Sequence, residues 1–210
     1  MAKLGSQVTL EFKAFADMGT RDASGRLNGE SNPQSTTYKK NEKHILTWPS
    51  TPKIAQSIEV NYSTWELQHT NYQPSAFGNR STPIVTISGQ WFSRDTAEAT
   101  ATLQAIHLLR SATSMFYGRE DPKKGTPPPI GRLNAHGLYN NTPVVIKTFQ
   151  YDFPNDVDYI TVPMFNDNQS VPVLFEMSIS LIVQINSVDT VKNYTLEKFV
   201  KGDLLGEGYI

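Results

Sequence analysis

The stretch Val173-Leu-Phe-Glu-Met-Ser-Ile-Ser-Leu-Ile-Val-Gln-Ile185 places an apolar residue at every odd position: Val173, Phe175, Met177, Ile179, Leu181, Val183 and Ile185. Glu176, Ser178, Ser180 and Gln184 stand between them. Successive side chains of a strand point to opposite faces, so this period of two predicts one dry face and one wet face. At about 3.4 Å per residue the stretch spans roughly 40 Å, well beyond an ordinary strand of about 5–6 residues. A strand that long is expected to reach past its own domain and pair with something else.

Outward from this stretch the pattern stays β-rich. Val144 to Phe153 reads as a strand with Val145, Phe149, Tyr151 and Phe153 on one face, and Ile130 to Leu138 as a short one ending at His136-Gly137. Ile84 to Phe92 is a third, with a bulge expected at Gly89. Ile54 to Tyr62 alternates, with Trp65 to His69 as its hairpin partner and residues 70–82 as a loop. Val8 to Phe15 alternates as well, and residues 17–43 form a polar loop or arm rich in Gly, Asn, Ser and Asp. Only one helix is predicted. Asp95 and Glu98 have capping-box spacing, Leu103, Ile106 and Leu109 with Ala99, Ala112 and Phe116 form its stripe, and Gly118 follows its end. The alanines and scarce charges of this helix imply that a second face is covered too. Gly125-Thr-Pro-Pro-Pro129 is held extended by its prolines. The expected class is mainly β with one flanking α-helix, in a single domain over 1–210 with a C-terminal docking tail at about 196–210.

Composition narrows the function classes. With 19 Lys and Arg against 20 Asp and Glu, the net charge is −1. A sequence-independent nucleic-acid binder needs a basic excess, and an anionic membrane finds nothing here to attract. There are 0 cysteines, which excludes disulfides and thiolate chemistry. Charged residues are 19%, below the usual value of about 25%. No apolar run approaches the roughly 18 residues of a membrane span, and Met-Ala-Lys-Leu-Gly-Ser lacks a signal-peptide core, so a protein made in the cytoplasm is expected.

The residues offer little catalytic chemistry. His44, His69, His107 and His136 show no metal-ligand spacing, and no phosphate loop, dinucleotide fingerprint or nucleophile elbow occurs. No enzyme, cofactor or metal site is expected. Asp152, Asp156 and Asp158 suit acid–base work or calcium, but a turn accounts for them more simply. Trp48, Trp65 and Trp91, with Tyr62 and Tyr72, suit either a sugar-stacking platform or core and cross-strand pairs. Arg110 reads equally as a polar anchor or a solvated cation. The apolar C-terminal residues Leu204, Leu205, Tyr209 and Ile210 call for a covering surface.

Several segments in succession resemble one family. They are Tyr62-Ser-Thr-Trp-Glu-Leu-Gln-His-Thr-Asn-Tyr72, the helix ending Ile106-His-Leu-Leu-Arg-Ser-Ala-Thr-Ser-Met-Phe-Tyr-Gly118, Gly125-Thr-Pro-Pro-Pro-Ile130, Ala135-His-Gly-Leu-Tyr-Asn-Asn-Thr-Pro-Val144, Phe149-Gln-Tyr-Asp-Phe-Pro-Asn-Asp-Val-Asp-Tyr159 and Phe199-Val-Lys-Gly-Asp-Leu-Leu-Gly-Glu-Gly-Tyr-Ile210. Their order and spacing over residues 55–210 resemble the tail-tube initiator proteins in the baseplates of contractile-tailed bacteriophages.

That resemblance implies a tail-tube-type β-sandwich or half-barrel. Six copies would form a ring on the baseplate hub, with a continuous inner β-barrel that starts polymerisation of the tail-tube protein. The implied partners are further copies of the chain, the tail-tube, hub, wedge and tape-measure proteins, and DNA passing through the lumen without specific binding. No membrane would be involved, the location would be the virion tail, and the strand from Val173 to Ile185 would pair with a strand of another subunit. Glu176, Ser178, Ser180 and Gln184 would face the channel. Gly125, Pro127, Pro128, Pro129, Phe199, Leu204, Leu205, Tyr209 and Ile210 would contact neighbouring subunits or rings. The alternative is a carbohydrate-binding β-sandwich module of a phage tail.

Overall fold

The computed structural model describes residues 8–12, 44–115, 125, 127–164, 167–186, 188, 191, 192 and 194–204. The polar loop expected at 17–43, and Phe116, Gly118, Leu205, Tyr209 and Ile210, lie outside the described residues.

The architecture is mainly β, as the alternation predicts. Strands β1 (Thr9–Phe12), β2 (His44–Thr47), β3 (Lys53–Ser57), β4 (Val60–Thr64), β5 (Ser75–Arg80) and β6 (Ile84–Phe92) precede helix α1 (Thr96–Ala112). β7 (Gly131–Ala135), β8 (Tyr139–Asp152), β9 (Tyr159–Met164), β10 (Asp167–Pro172), β11 (Leu174–Val183) and the short helix α2 (Leu196–Lys201) follow. Seven strands form one antiparallel sheet in the order β2-β1-β7-β8-β11-β6-β3, and β9–β10 and β4–β5 are separate two-stranded ribbons.

β11 is the long alternating stretch. Phe175, Met177, Ile179, Leu181 and Val183 are buried in the core, and Glu176, Ser178 and Ser180 face outward. It pairs with β6 along one side and β8 along the other. The expected pairing of this strand with another subunit is therefore corrected: both its edges are filled by its own chain. Among the described residues the edges of the sheet are the short strands β2 and β3.

Those two edges are joined by only Trp48–Pro52. Five linking residues reach at most about 21 Å, whereas six strand spacings in a flat sheet come to about 29 Å. The sheet must therefore curl, bringing its edges towards each other. The link lies on the core face of β6. Trp48 packs edge-on to Trp91, Ser50 Oγ donates to the Gln90 carbonyl at 2.8 Å, and a Cβ on Gly89 would sit 3.2 Å from Pro52 Cβ. Gly89 thus provides space for the link rather than a bulge, and β6 runs through it in register with β11. Among the described residues no β2–β3 ladder closes the curl into a barrel.

β8 carries the real bulge. Its register with β11 shifts between Ile146 and Thr148, leaving Lys147 as the extra residue. The inward set therefore changes phase, from Thr142, Val144 and Ile146 to Phe149, Tyr151 and Phe153. Val145, expected on the face of Phe149, pairs with Ile182 on the other side instead. β7 joins β8 through His136 and Gly137, with φ of 48° and 76°, and Leu138 N–H donates to the Ala135 carbonyl at 2.9 Å. Two consecutive left-handed residues give a turn whose twist matches the flanking strands.

α1 starts as read. Asp95 Oδ1 accepts from Glu98 N–H at 2.8 Å, and Glu98 Oε2 accepts from Arg94 N–H at 2.8 Å. It ends earlier than expected, at Ala112 with Thr113 as cap. Two faces are covered. Ala105, Ile106, Leu108, Leu109 and Ala112 pack into the core of the main sheet, while Ala99 and Leu103 pack with Val162, Ile160 and Val171 of the β9–β10 ribbon.

Candidate assembly interface

Neighbouring strands extend the outward face of β11 into a wider surface. Ser178 stands opposite Ser88 and Gln150, and Ser180 opposite Thr86 and Thr148, with the Ser180 and Thr86 hydroxyls 3.2 Å apart. Glu176 lies between Gln90 and Asp152 at one end, and Lys53 is level with Ser88 on the edge strand. The face is therefore hydroxyl-rich along β11, with carboxylates at one end, Lys53 at the β3 edge and the exposed Lys147 at the bulge of β8. Gln184 lies one residue beyond β11, is exposed, and donates its backbone N–H to the Pro143 carbonyl at 2.8 Å.

The second surface was misread from sequence. Strand β4 is not a continuation of β3, because the chain breaks at Ile58-Glu59, and the partner of β4 is β5, inside the stretch expected to be loop. Ser81 N–H donates to the Glu59 carbonyl at 2.8 Å and Glu59 N–H to Ser81 Oγ at 3.0 Å, clamping the break. β3–β6 and β4–β5 thus make one ribbon that leaves the sheet as an arm. Every residue from Val60 to Arg80 is exposed except the half-buried Ala76. Tyr62 pairs with Phe77 across the ladder at 6.1 Å, edge to face. Gly78 gives the bulge beside them; a Cβ there would sit 3.0 Å from the Asn61 carbonyl oxygen.

The tryptophans divide accordingly. Trp48 and Trp91 are core, whereas Trp65 and Tyr72 project from the arm. A three-indole platform is ruled out by this separation.

The predicted contact residues are not all free. Gly125, Pro127 and Pro128 are exposed, Pro129 is half-buried and Phe199 is partly exposed on α2. Leu204 differs from expectation. It is 1% exposed, covered by its own chain. Gly202, at φ 77°, closes α2, and Asp203 N–H reaches the Lys198 carbonyl at 3.1 Å. Leu196, Phe199 and Val200 are left facing solvent.

Among the described residues no group of three or more His, Cys, Asp or Glu side chains could hold a metal ion. Asp156 and Asp158 lie in the connection from β8 to β9, where the Asp158 carbonyl accepts from Val173 N–H and the Pro154 carbonyl from Tyr159 Oη. A cleft of about 350 Å³ between β2 and α1 is lined by His44, Leu46, Trp91, Gln104 and Leu108 among others. Burial, and then the neighbouring Arg110, lower the pKa of His107 below its ordinary value. Arg110 is exposed, with its guanidinium 5.8 Å from the centre of the Tyr151 ring. Among the described residues no helix is long and apolar enough to cross a membrane.

Compared with family models and with curated proteins, the sequence matches none.

Proposed function

We propose that this chain is a structural subunit of a contractile-tail baseplate that assembles into a hexameric ring and starts the tail tube. In this reading the curled sheet is a tail-tube-type half-barrel, completed into an inner barrel by neighbouring copies. The observation that carries it is the division of the surface. The broad sheet face built on β11 is hydroxyl-rich along that strand, with Glu176 and Asp152 at one end and only Lys53 and Lys147 as cations beside it, while large apolar groups stand exposed on the arm and around α2. A wall past which a polyanion must slide needs polar groups without a strong cationic field, since each Lys or Arg binds phosphate. A chain that leaves aromatic side chains in water is unfinished until a partner covers them. The resemblance over residues 55–210 supports the same reading and supplies the copy number.

Electron microscopy of tails containing this chain tests it. The expected map has a six-fold ring at the base of the tube, with Ser178 and Ser180 towards the lumen. Density showing the chain as a separate globule outside the tube would end this reading. The exposed Trp65 and Tyr72 favour the carbohydrate-binding alternative as a second reading, checked by a glycan array on which this chain should bind nothing if the first reading holds.

A further inference from the structure

Two apolar surfaces of this chain have no cover within the described residues. On the arm, Tyr62, Trp65, Tyr72 and Phe77 are between 55% and 87% exposed. The ribbon is two-sided. Tyr62 and Phe77 lie on one face, while Asn61 Nδ2 donates to Asn79 Oδ1 at 2.8 Å on the other. Aromatic side chains bury about 150–250 Å² each when covered. With Ile58, Val60 and Leu67 the arm offers about 700–800 Å², the share of one partner in a stable interface of ordinary size and more than the largest apolar patch of a typical monomer.

The second surface is the C-terminal segment. Val188, Val191, Tyr194, Leu196, Phe199 and Val200 are between 46% and 83% exposed, a comparable area. Leu204, just after this segment, is buried at 1% exposure. Both surfaces carry mixed charge: Glu59, Glu66 and Arg80 on the arm, and Lys192, Lys198, Lys201, Glu197 and Asp203 on the C-terminal segment, where Lys201 Nζ lies 2.7 Å from Glu197 Oε1.

We propose that the arm of one copy docks on the C-terminal segment of the next copy, head to tail. The proposal rests on the ring reading and names the contact that would build the ring. Contact between two different patches closes into a ring or runs on as a filament. Arm-to-arm docking would instead bring Glu59 and Glu66 against their own counterparts and leave the C-terminal surface bare.

The test uses the full chain in two forms. An arm variant carries Tyr62→Ser and Phe77→Ser, and a C-terminal variant carries Leu196→Ser and Val200→Ser. Sedimentation from micromolar to millimolar concentration should show self-association weakened about tenfold or more in each, as expected when central aromatic or apolar anchors are removed. The two variants mixed should form a heterodimer and stop there, because the intact arm of one meets the intact C-terminal segment of the other. Mixed variants that stay monomeric while the unmodified chain associates overturn the proposal and leave the ring reading standing on another contact. Loss of association in the arm variant alone means arm-to-arm docking and also overturns it. An unmodified chain that is monomeric at every concentration overturns it too, and the ring reading falls only if tail particles also lack the ring. The near-ultraviolet circular dichroism of the Trp48–Trp91 core reports whether each variant is folded. If the arm variant is not, Trp65→Ser with Leu67→Ser takes its place.

Discussion

The indole of Trp48 meets that of Trp91 edge-on, with ring centroids 6.3 Å apart, and this contact fastens the link between the two sheet edges to the core face of β6. Both indole N–H groups are buried, and neither has a hydrogen-bond partner among the described residues. Trp48→Ala removes the fastening and should cost about 3–5 kcal/mol. Trp91→Phe should cost only about 1 kcal/mol, since the ring volume is mostly kept and the lost donor was unpaired. Urea unfolding curves of the two variants check the contrast.

Backbone packing should be equally unforgiving at two glycines. A Cβ on Gly89 would meet Pro52 Cβ at 3.2 Å and Trp48 Cδ1 at 3.3 Å, and one on Gly131 would meet Phe12 Cε1 at 2.9 Å. Gly89→Ala and Gly131→Ala should each destabilise by about 1–3 kcal/mol. Gly137→Ala meets nothing within 4 Å, so any cost there comes from its φ of 76° alone. Thermal unfolding of the three variants separates crowding from backbone strain.

Ser93 and Thr102 place their hydroxyls 3.1 Å apart where both residues are buried, joining the end of β6 to α1. Removing either partner leaves the other buried without it. Ser93→Ala and Thr102→Val should each cost about 1–3 kcal/mol, and the double variant should cost less than their sum. A double-mutant cycle in denaturant reads the coupling directly.

Acid should weaken the fold through His107. Its pKa is lowered by burial and then by Arg110, so the folded state favours the neutral ring. That contribution is complete above the ordinary value of 6.5 and is lost as pH falls from there towards the depressed folded value. Stability measured from pH 7 down to pH 5 should decline, more shallowly in His107→Gln. At the alkaline end the sign reverses. Burial raises Tyr139 above 10.0, so its contribution holds below that pH and fades as pH rises through the raised value.

The sheet face makes a prediction specific to the proposed role. Ser178→Lys with Ser180→Lys should change chain stability by no more than about 0.5 kcal/mol, since both positions are half-exposed. In assembled tails it should slow genome passage, with relief at high salt. Normal ejection kinetics at low salt would remove this face from the channel.

Much of the main sheet was legible because one-sided burial leaves a period of two in the residues. β11 shows it from Phe175 to Val183, and Val8, Leu10 and Phe12 show it in the N-terminal strand. The Asp95–Glu98 cap was legible because both bonds form within five residues. The arm was not. Ser75 to Arg80 contains Gly78 and Asn79, poor strand formers, and shows no alternation because neither of its faces is buried. It is a strand because β4 lies beside it.

What the residues alone settled was which positions could not face water: the odd positions of β11, the stripe of α1 and the inward residues of β1. Water sorts side chains by their chemistry, and that sorting needs no knowledge of partners. Which strand lies beside which was settled only by the folded chain. The five-residue link from Thr47 to Lys53 bends the sheet until its edges approach, and the bulge at Lys147 changes which residues of β8 face in. β11, long enough to suggest a partner outside, is satisfied at home by β6 and β8. Strand pairing depends on closing loops and filling volume across the whole molecule, and no local pattern records either.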